Sequence, residues 1–317
     1  MLLAVVWLMG TRQHSCWPAT AKDYLWPLLP FAVLGGLWLA APAGYAEVVP
    51  LFAQLGVTIW GFLTVVWFLS VLKKDSSIMD IGYAMTSVIT AWMQWWLMGA
   101  DTSPRILLVL AVVNLWGWRY TLYILVRNLP HGEDARYARW RQRTGASWWW
   151  WSYFQIFLLQ GVMIWIWYLP IGFALLVPGS IGLLEALALL VWVVGFAFES
   201  GADWQLMRFK RDPANKGKVL QTGFWAQCRH PNYFGEAAMW SAYGLLGLAH
   251  AWGWLGLLCT AYTVHMMNGG SATKMTDGYM KKRKPGYLDY VVRTPTFLPR
   301  MFGGRPECGA EHDTGAH

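Results

Sequence analysis

Charge is scarce in this sequence. Asp, Glu, Lys and Arg make up 13% of its 317 residues, against about 25% in a soluble domain. So few charged groups cannot clothe a water-facing surface, which excludes an ordinary soluble domain. Cysteine is scarce too. Cys16, Cys228, Cys259 and Cys308 are scattered without a C-x-x-C pair, so neither a zinc site nor a disulfide framework is indicated. The seven histidines form no i,i+4 pair around a glutamate, which leaves metal ligation without support. There is no G-x-G-x-x-G after a strand and no G-x-x-x-x-G-K-[ST]. Any nucleotide must therefore be held by a helical scaffold rather than by a soluble-type phosphate loop. Internal repeats are absent as well, and with them the symmetry that marks many transporters.

Hydrophobic residues are abundant, at 56%, and 24 of the residues are tryptophan. They arrive in blocks of about twenty, the length a helix needs to cross roughly 30 Å of hydrocarbon. This predicts an all-α polytopic membrane bundle. The candidate spans are 24–44, 48–72, 78–99, 105–127, 153–177 and 181–201, with a last apolar block over 233–267. That block is too long for one crossing, and "GLAHAWG" (residues 247–253) offers a break. Taking it as a hairpin puts every basic loop on one side: Lys73 and Lys74, Arg136 to Arg143, Arg208 to Lys218, and Lys281 to Lys284. The positive-inside rule expects that. The expectation is eight spans with both ends cytoplasmic, or seven if the first segment does not cross. The net charge of +8 then belongs to cytoplasmic loops and anionic headgroups rather than to nucleic acid.

The opening "MLLAVVWLMG" lacks a basic stretch before its apolar run and reads poorly as a signal peptide. "SWWWWS" (147–152) reads as an interfacial aromatic belt. The expected organisation is an N-terminal segment over 1–47, a membrane domain over 48–300 and a flexible tail over 301–317.

Ionisable side chains inside spans are costly and point to a site. Arg119, Tyr123 and Arg127 recur every four residues and so share a helix face. Arg127 lies near a span end, where it is also able to snorkel. In "FESGADWQLMRFKRDPANKGK" (198–218), Glu199, Asp203 and Lys210 fall on one face. "CRHPNYFGEAAMW" (228–240) gathers Arg229, His230, Asn232 and Glu236 at the mouth of an apolar run, with Pro231 suited to a first helical turn. Glu236 is there either clamped by Arg229 or bound to a ligand. Asp80, in "SSIMDIGYAM" (76–85), is either a dipole-stabilised N-terminal acid or part of the same site, with Tyr83 nearby. All four groups lie toward the cytoplasmic side of the expected topology.

"DWQLMRFKRDPANKGKVLQTGFWAQCRHPNYFGEAAMW", followed by "KPGYLDYVVRTPTFLP", resembles the bacterial membrane proteins grouped with the steroid 5α-reductases, over about residues 51–299. The closing stretch is similar to the C-terminal domain shared with polyprenol reductase and trans-2-enoyl-CoA reductase. The resemblance implies NADPH-dependent reduction of a carbon–carbon double bond conjugated to a carbonyl, on a hydrophobic substrate arriving through the bilayer. It implies that Asn232 and Glu236 match the family's cofactor-binding N-F-L-G-E motif, and that Arg119 and Tyr123 match its Arg and Tyr four apart. The family's Asn-Arg pair appears inverted as Arg127-Asn128. Its Asn-x-x-x-Asp motif falls on Glu199 and Asp203, with the Asn replaced, and a further Arg falls on Lys210. Arg229 and His230 complete the implied cofactor set. The family's substrate-polarising Glu aligns with Asp80, while its partner Tyr falls on Trp116; Tyr83 or Tyr120 then stands in for it. "R-H-P-N-Y-F-G" also resembles the S-adenosylmethionine segment of isoprenylcysteine and phospholipid methyltransferases, so that chemistry remains an alternative, as does a non-enzymatic membrane protein.

Overall fold

The computed structural model describes residues 36, 39–40, 44–128, 132–268 and 271–305, and every regular element among them is helical. The candidate span 24–44 and the tail beyond residue 305 lie essentially outside the described residues. Helix α1 (Tyr45–Lys73) ends where Lys74 turns left-handed (φ 52°) and donates its N–H to the carbonyls of Ser70 and Val71. Helices α2 (Ile78–Leu97) and α3 (Pro104–Asn128) form a hairpin. Helix α4 (Ala135–Thr144) is short and basic, and Asp134 caps it by accepting from the Arg136 N–H at 2.8 Å.

The candidate span over 153–177 is broken and bent rather than one continuous helix. The chain instead runs through α5 (Trp148–Ser152), one π-helical stretch (Tyr153–Leu158), α6 (Leu159–Trp167) and α7 (Leu169–Leu175), and bends by 47° before α7. Pro170 accounts for the bend: it has no N–H to donate and its ring clashes with the preceding turn. Helix α8 (Leu183–Arg211) carries its basic residues in the last turns. At 29 residues it is about 44 Å long, so the segment after Gly201 continues past the apolar stretch. A single turn of helix, α9 (Phe224–Gln227), precedes α10 (Pro231–Gly247) and α11 (Trp254–Asn268). The chain reverses between these two, where the sequence offered a break. Helices α12 (Ser271–Arg283) and α13 (Tyr287–Arg293) close the fold.

Among the described residues, α1, α3 and α8 are long and apolar enough to cross a membrane, and the bent α4–α7 segment makes a fourth if it counts as one span. Their outward faces are greasy: Val57, Val65, Leu115, Leu122, Leu190 and Val193 are all exposed. Exposed apolar surface of this extent marks a lipid-facing protein. Polar groups turn inward instead. On α2, Asp80, Thr86, Ser87, Thr90 and Gln94 are buried, and Gln94 is held between the Gly172 carbonyl (2.8 Å) and the Tyr168 hydroxyl (2.9 Å).

Two features of this fold position the site. Helices α8 and α10 touch backbone to backbone through glycines: a Cβ on Gly235 would stand 2.5 Å from the Gly195 carbonyl and 2.4 Å from the Glu199 nitrogen. Small residues permit such approach between membrane helices. Helices α3 and α8 are also cross-linked twice in one register. Arg105 pairs with Glu185 at 2.9 Å, and Arg119, fourteen residues on, pairs with Glu199, also fourteen on. Fourteen residues are nearly four helical turns, so both rungs fall on the same face, about 21 Å apart.

Candidate functional site

The second rung is the centre of the site. From α3, the Arg119 guanidinium donates through Nη2 to Glu199 Oε1 and through Nη1 to Asp203 Oδ2, the latter at 2.7 Å. Glu199 and Asp203 lie one turn apart on α8 and are 3% and 5% exposed. From α10, Asn232 donates through Nδ2 to Asp203 Oδ1 at 3.4 Å. Glu236, one turn beyond Asn232, is half-buried and makes no ion pair among the described residues; it lies within electrostatic range of Glu199 and Asp203. Two buried polar atoms in this cluster have no partner: Arg119 Nε and Glu199 Oε2.

An aromatic layer adjoins it. Tyr83 of α2 meets Trp116 and Tyr120 of α3 edge-on at 6.4 and 6.0 Å, and Trp116 meets Trp240 of α10 at 6.0 Å. Tyr83 and Tyr120 both lie within electrostatic range of Glu199 and Glu236. On the other side, toward the helix ends, the side chains turn basic. Arg127 packs over the Tyr123 ring at 5.7 Å and donates to Asn128 Oδ1 at 3.1 Å. Lys210 lies within electrostatic range of Arg127, Lys284 and Asp203. The cluster is therefore layered: aromatic floor, acid–amide middle, cationic rim.

The structure thus brings together Arg119, Tyr123, Arg127, Asn128, Glu199, Asp203, Lys210, Asn232 and Glu236, with Tyr83 and Tyr120 beneath. Asp80 stands at the edge. It is buried and accepts from the Tyr137 hydroxyl at 2.9 Å and Arg136 Nη2 at 3.2 Å, while remaining within electrostatic range of Tyr120. The helix-terminal position that the sequence suggested is right, but α4, not the helix dipole alone, holds this acid.

Arg229 and His230 are committed elsewhere. The pairing of Arg229 with Glu236 that the sequence allows is not formed. Arg229 instead donates to the Val291 and Thr294 carbonyls, to Thr296 Oγ1 (2.7 Å) and to Asp277 Oδ2 (3.1 Å). His230 Nε2 lies 2.8 Å from Asp277 Oδ1, which also accepts from the Tyr287 hydroxyl at 2.6 Å. Burial would raise the Asp277 carboxyl, but the bond and charge of His230, the Tyr287 hydroxyl and Arg229 outweigh it and hold it at about 2. Arg229 and His230 thus fasten the C-terminal helices α12 and α13 to the start of α10. Asp277, Tyr137 and Lys284 were not singled out from the sequence. Asp277 and Tyr137 sit in amphipathic stretches where an acid or a tyrosine is unremarkable, and Lys284 reads as one charge in a basic loop.

Fold and site define a helical membrane protein with a buried, largely acidic cluster under a basic rim. Residues 66–294, more than half of the chain, match the family described as "Protein of unknown function (DUF1295)". The chain belongs to that family. It is also 30% identical over 115 residues to the Delta(14)-sterol reductase of Mus musculus, across 31% of this chain and 28% of that protein. The chain therefore matches well under two thirds of that relative's length.

Proposed function

We propose that this protein is a membrane-embedded reductase that uses NADPH to saturate a carbon–carbon double bond conjugated to a carbonyl, on a hydrophobic substrate such as a 3-oxo-Δ4 steroid. The observation that carries the reading is the Arg119–Glu199–Asp203–Asn232 cluster, which lies between cationic side chains and an aromatic layer. The partial likeness to a sterol reductase supports the same class of chemistry. The donor set fits a nicotinamide dinucleotide. Arg127, Lys210 and Lys284 suit its phosphates, Asp203 and Asn232 suit ribose hydroxyls, and the orphaned atoms of Arg119 and Glu199 give polar partners further in.

When bound, NADPH supplies the hydride. The chain's own work is to place the substrate and stabilise charge. Tyr83, Trp116 and Tyr120 form an aromatic floor beside the cluster, and the two tyrosines put hydroxyl donors there. Negative charge builds on the substrate carbonyl oxygen as its β-carbon is reduced, and a preorganised donor at that oxygen is worth about 10²–10³ in rate. Tyr120 adjoins the cluster directly, with the Arg119 guanidinium 5.8 Å from its ring centroid. In this reading seven to eight spans carry the site, with the basic rim and both chain ends in the cytoplasm of a bacterial cell.

Purified protein in detergent should transfer deuterium from specifically labelled NADPH to a 3-oxo-Δ4 steroid, read by mass spectrometry of the product. Asn232→Ala and Glu236→Ala should abolish the transfer. Unlabelled product, undiminished transfer in both variants, or methyl transfer from S-adenosylmethionine in its place would rule the reading out.

A further inference from the structure

Three carboxyl groups and one bonded guanidinium share the middle of the cluster, and their contacts are unequal. Both oxygens of Asp203 have donors: Arg119 Nη1 at 2.7 Å and Asn232 Nδ2 at 3.4 Å. Glu236 has no ion pair among the described residues, but it is only half-buried and keeps contact with solvent. Glu199 is the exception. It is 3% exposed, its Oε1 accepts from Arg119, and its Oε2 is buried with no donor at all.

The groups facing it from every packed element sharpen the contrast. From α3 come Arg119 and Tyr120, from α10 Glu236 and Tyr243, from its own helix Asp203, and from α2 Tyr83. Only one of these is a cation, and Asp203 shares it. An ionised Glu199 would leave a bare anionic oxygen in a closed space beside two more acids, an arrangement that protonation relieves.

We infer that Glu199 is a neutral carboxylic acid with its proton on Oε2, and that this O–H is a hydrogen-bond donor for an uncharged ligand oxygen, of the carbonyl or carboxamide kind. Asp203 is then the ionised partner of Arg119, and the two acids one turn apart do different work. Asp203 accepts from ligand hydroxyls, whereas Glu199 donates. The inference rests on the reductase reading only for the identity of that oxygen, the carboxamide of the nicotinamide ring. The proton on Glu199 stands without it.

Infrared spectroscopy of the purified protein at neutral pH tests the proton directly. The expected result is a protonated-carboxyl C=O band that shifts in D2O and is missing from Glu199→Gln. Glu236→Gln should retain it, and that variant carries the test if Glu199→Gln fails to fold. No such band in the wild type, a band surviving in Glu199→Gln, or its loss in Glu236→Gln overturns the assignment. NADPH titration tests the donor. Wild-type affinity should fall about tenfold as rising pH removes the proton, roughly one hydrogen bond's worth. Glu199→Gln, whose amide N–H replaces the O–H, should show no such dependence and bind about tenfold more tightly than Glu199→Ala. A pH-independent wild type, or equal binding by the Gln and Ala variants, overturns the donor role. If NADPH fails to bind at any pH while the band behaves as expected, the assignment of the proton is upheld and the reductase reading falls.

Discussion

Arg119 has a carboxyl neighbour on each of two successive turns of α8, and removing it would leave the buried Asp203 carboxylate uncompensated. Breaking a buried pair from one side typically costs about 3–5 kcal/mol. Arg119→Met should therefore lower the thermal unfolding midpoint sharply, and the double change Arg119→Met with Asp203→Asn should recover part of the loss. No recovery would mean that the pair contributes through packing, not charge. At this scale much was legible, for one reason: an ionisable side chain in an apolar run costs enough to be noticed. Arg119, Asp203 and Glu236 stood out on that ground, and Asn232 through its place one turn from Glu236. Tyr137, which holds Asp80, did not, because a tyrosine in an arginine-rich helix costs nothing and signals nothing.

Between elements, the contact of α8 with α10 depends on Gly235. Its missing side chain lets Glu199 approach the helix that carries Glu236. Gly235→Val should push the helices apart, cost about 1–3 kcal/mol as an overpacking change, and abolish NADPH binding with helical content kept, as read by circular dichroism and a binding titration. Normal binding would show that the close approach is dispensable.

The C-terminal helices depend on Asp277 in another way. Its carboxyl titrates at about 2 in the folded chain, below the ordinary value of 3.8. A depressed acid adds stability that is complete above the ordinary value and is lost as pH falls toward the folded one. Protection of α12 and α13 against hydrogen exchange should thus be steady at neutral pH and fall between about pH 4 and 2, and in Asp277→Asn it should be weakened at neutral pH with no such fall on acidification. The broken course of residues 153–177 was visible in principle through Pro170, but an apolar run of that length reads as one span until the bend is seen.

Across the whole molecule, two ionic rungs set the register of α3 against α8. The Arg105 rung is structural. Its guanidinium also donates to the Ala174 and Val177 carbonyls at 2.6 Å each, tying α7 and its following turn to α3, far from the cluster. Arg105→Ala should destabilise the fold by about 3–5 kcal/mol, yet at temperatures where it stays folded its affinity for NADPH should match the wild type. The repeated fourteen-residue spacing of Arg105–Arg119 and Glu185–Glu199 was present in the sequence. It carried no meaning until α3 and α8 were known to pack side by side and parallel, which no single helix discloses. Helical class and lipid-facing surface, by contrast, follow from composition and block length alone.

The central claim is that the layered cluster binds a nicotinamide dinucleotide. Thermal unfolding of the detergent-purified protein with NADPH or S-adenosylmethionine tests it most directly. Saturation at a hundred times the dissociation constant stabilises a folded protein by about 2.7 kcal/mol. The account predicts a shift of that order with NADPH in the wild type, none with S-adenosylmethionine, and none with NADPH in Asn232→Ala. An unmoved midpoint with NADPH, or a shift with S-adenosylmethionine instead, would contradict it.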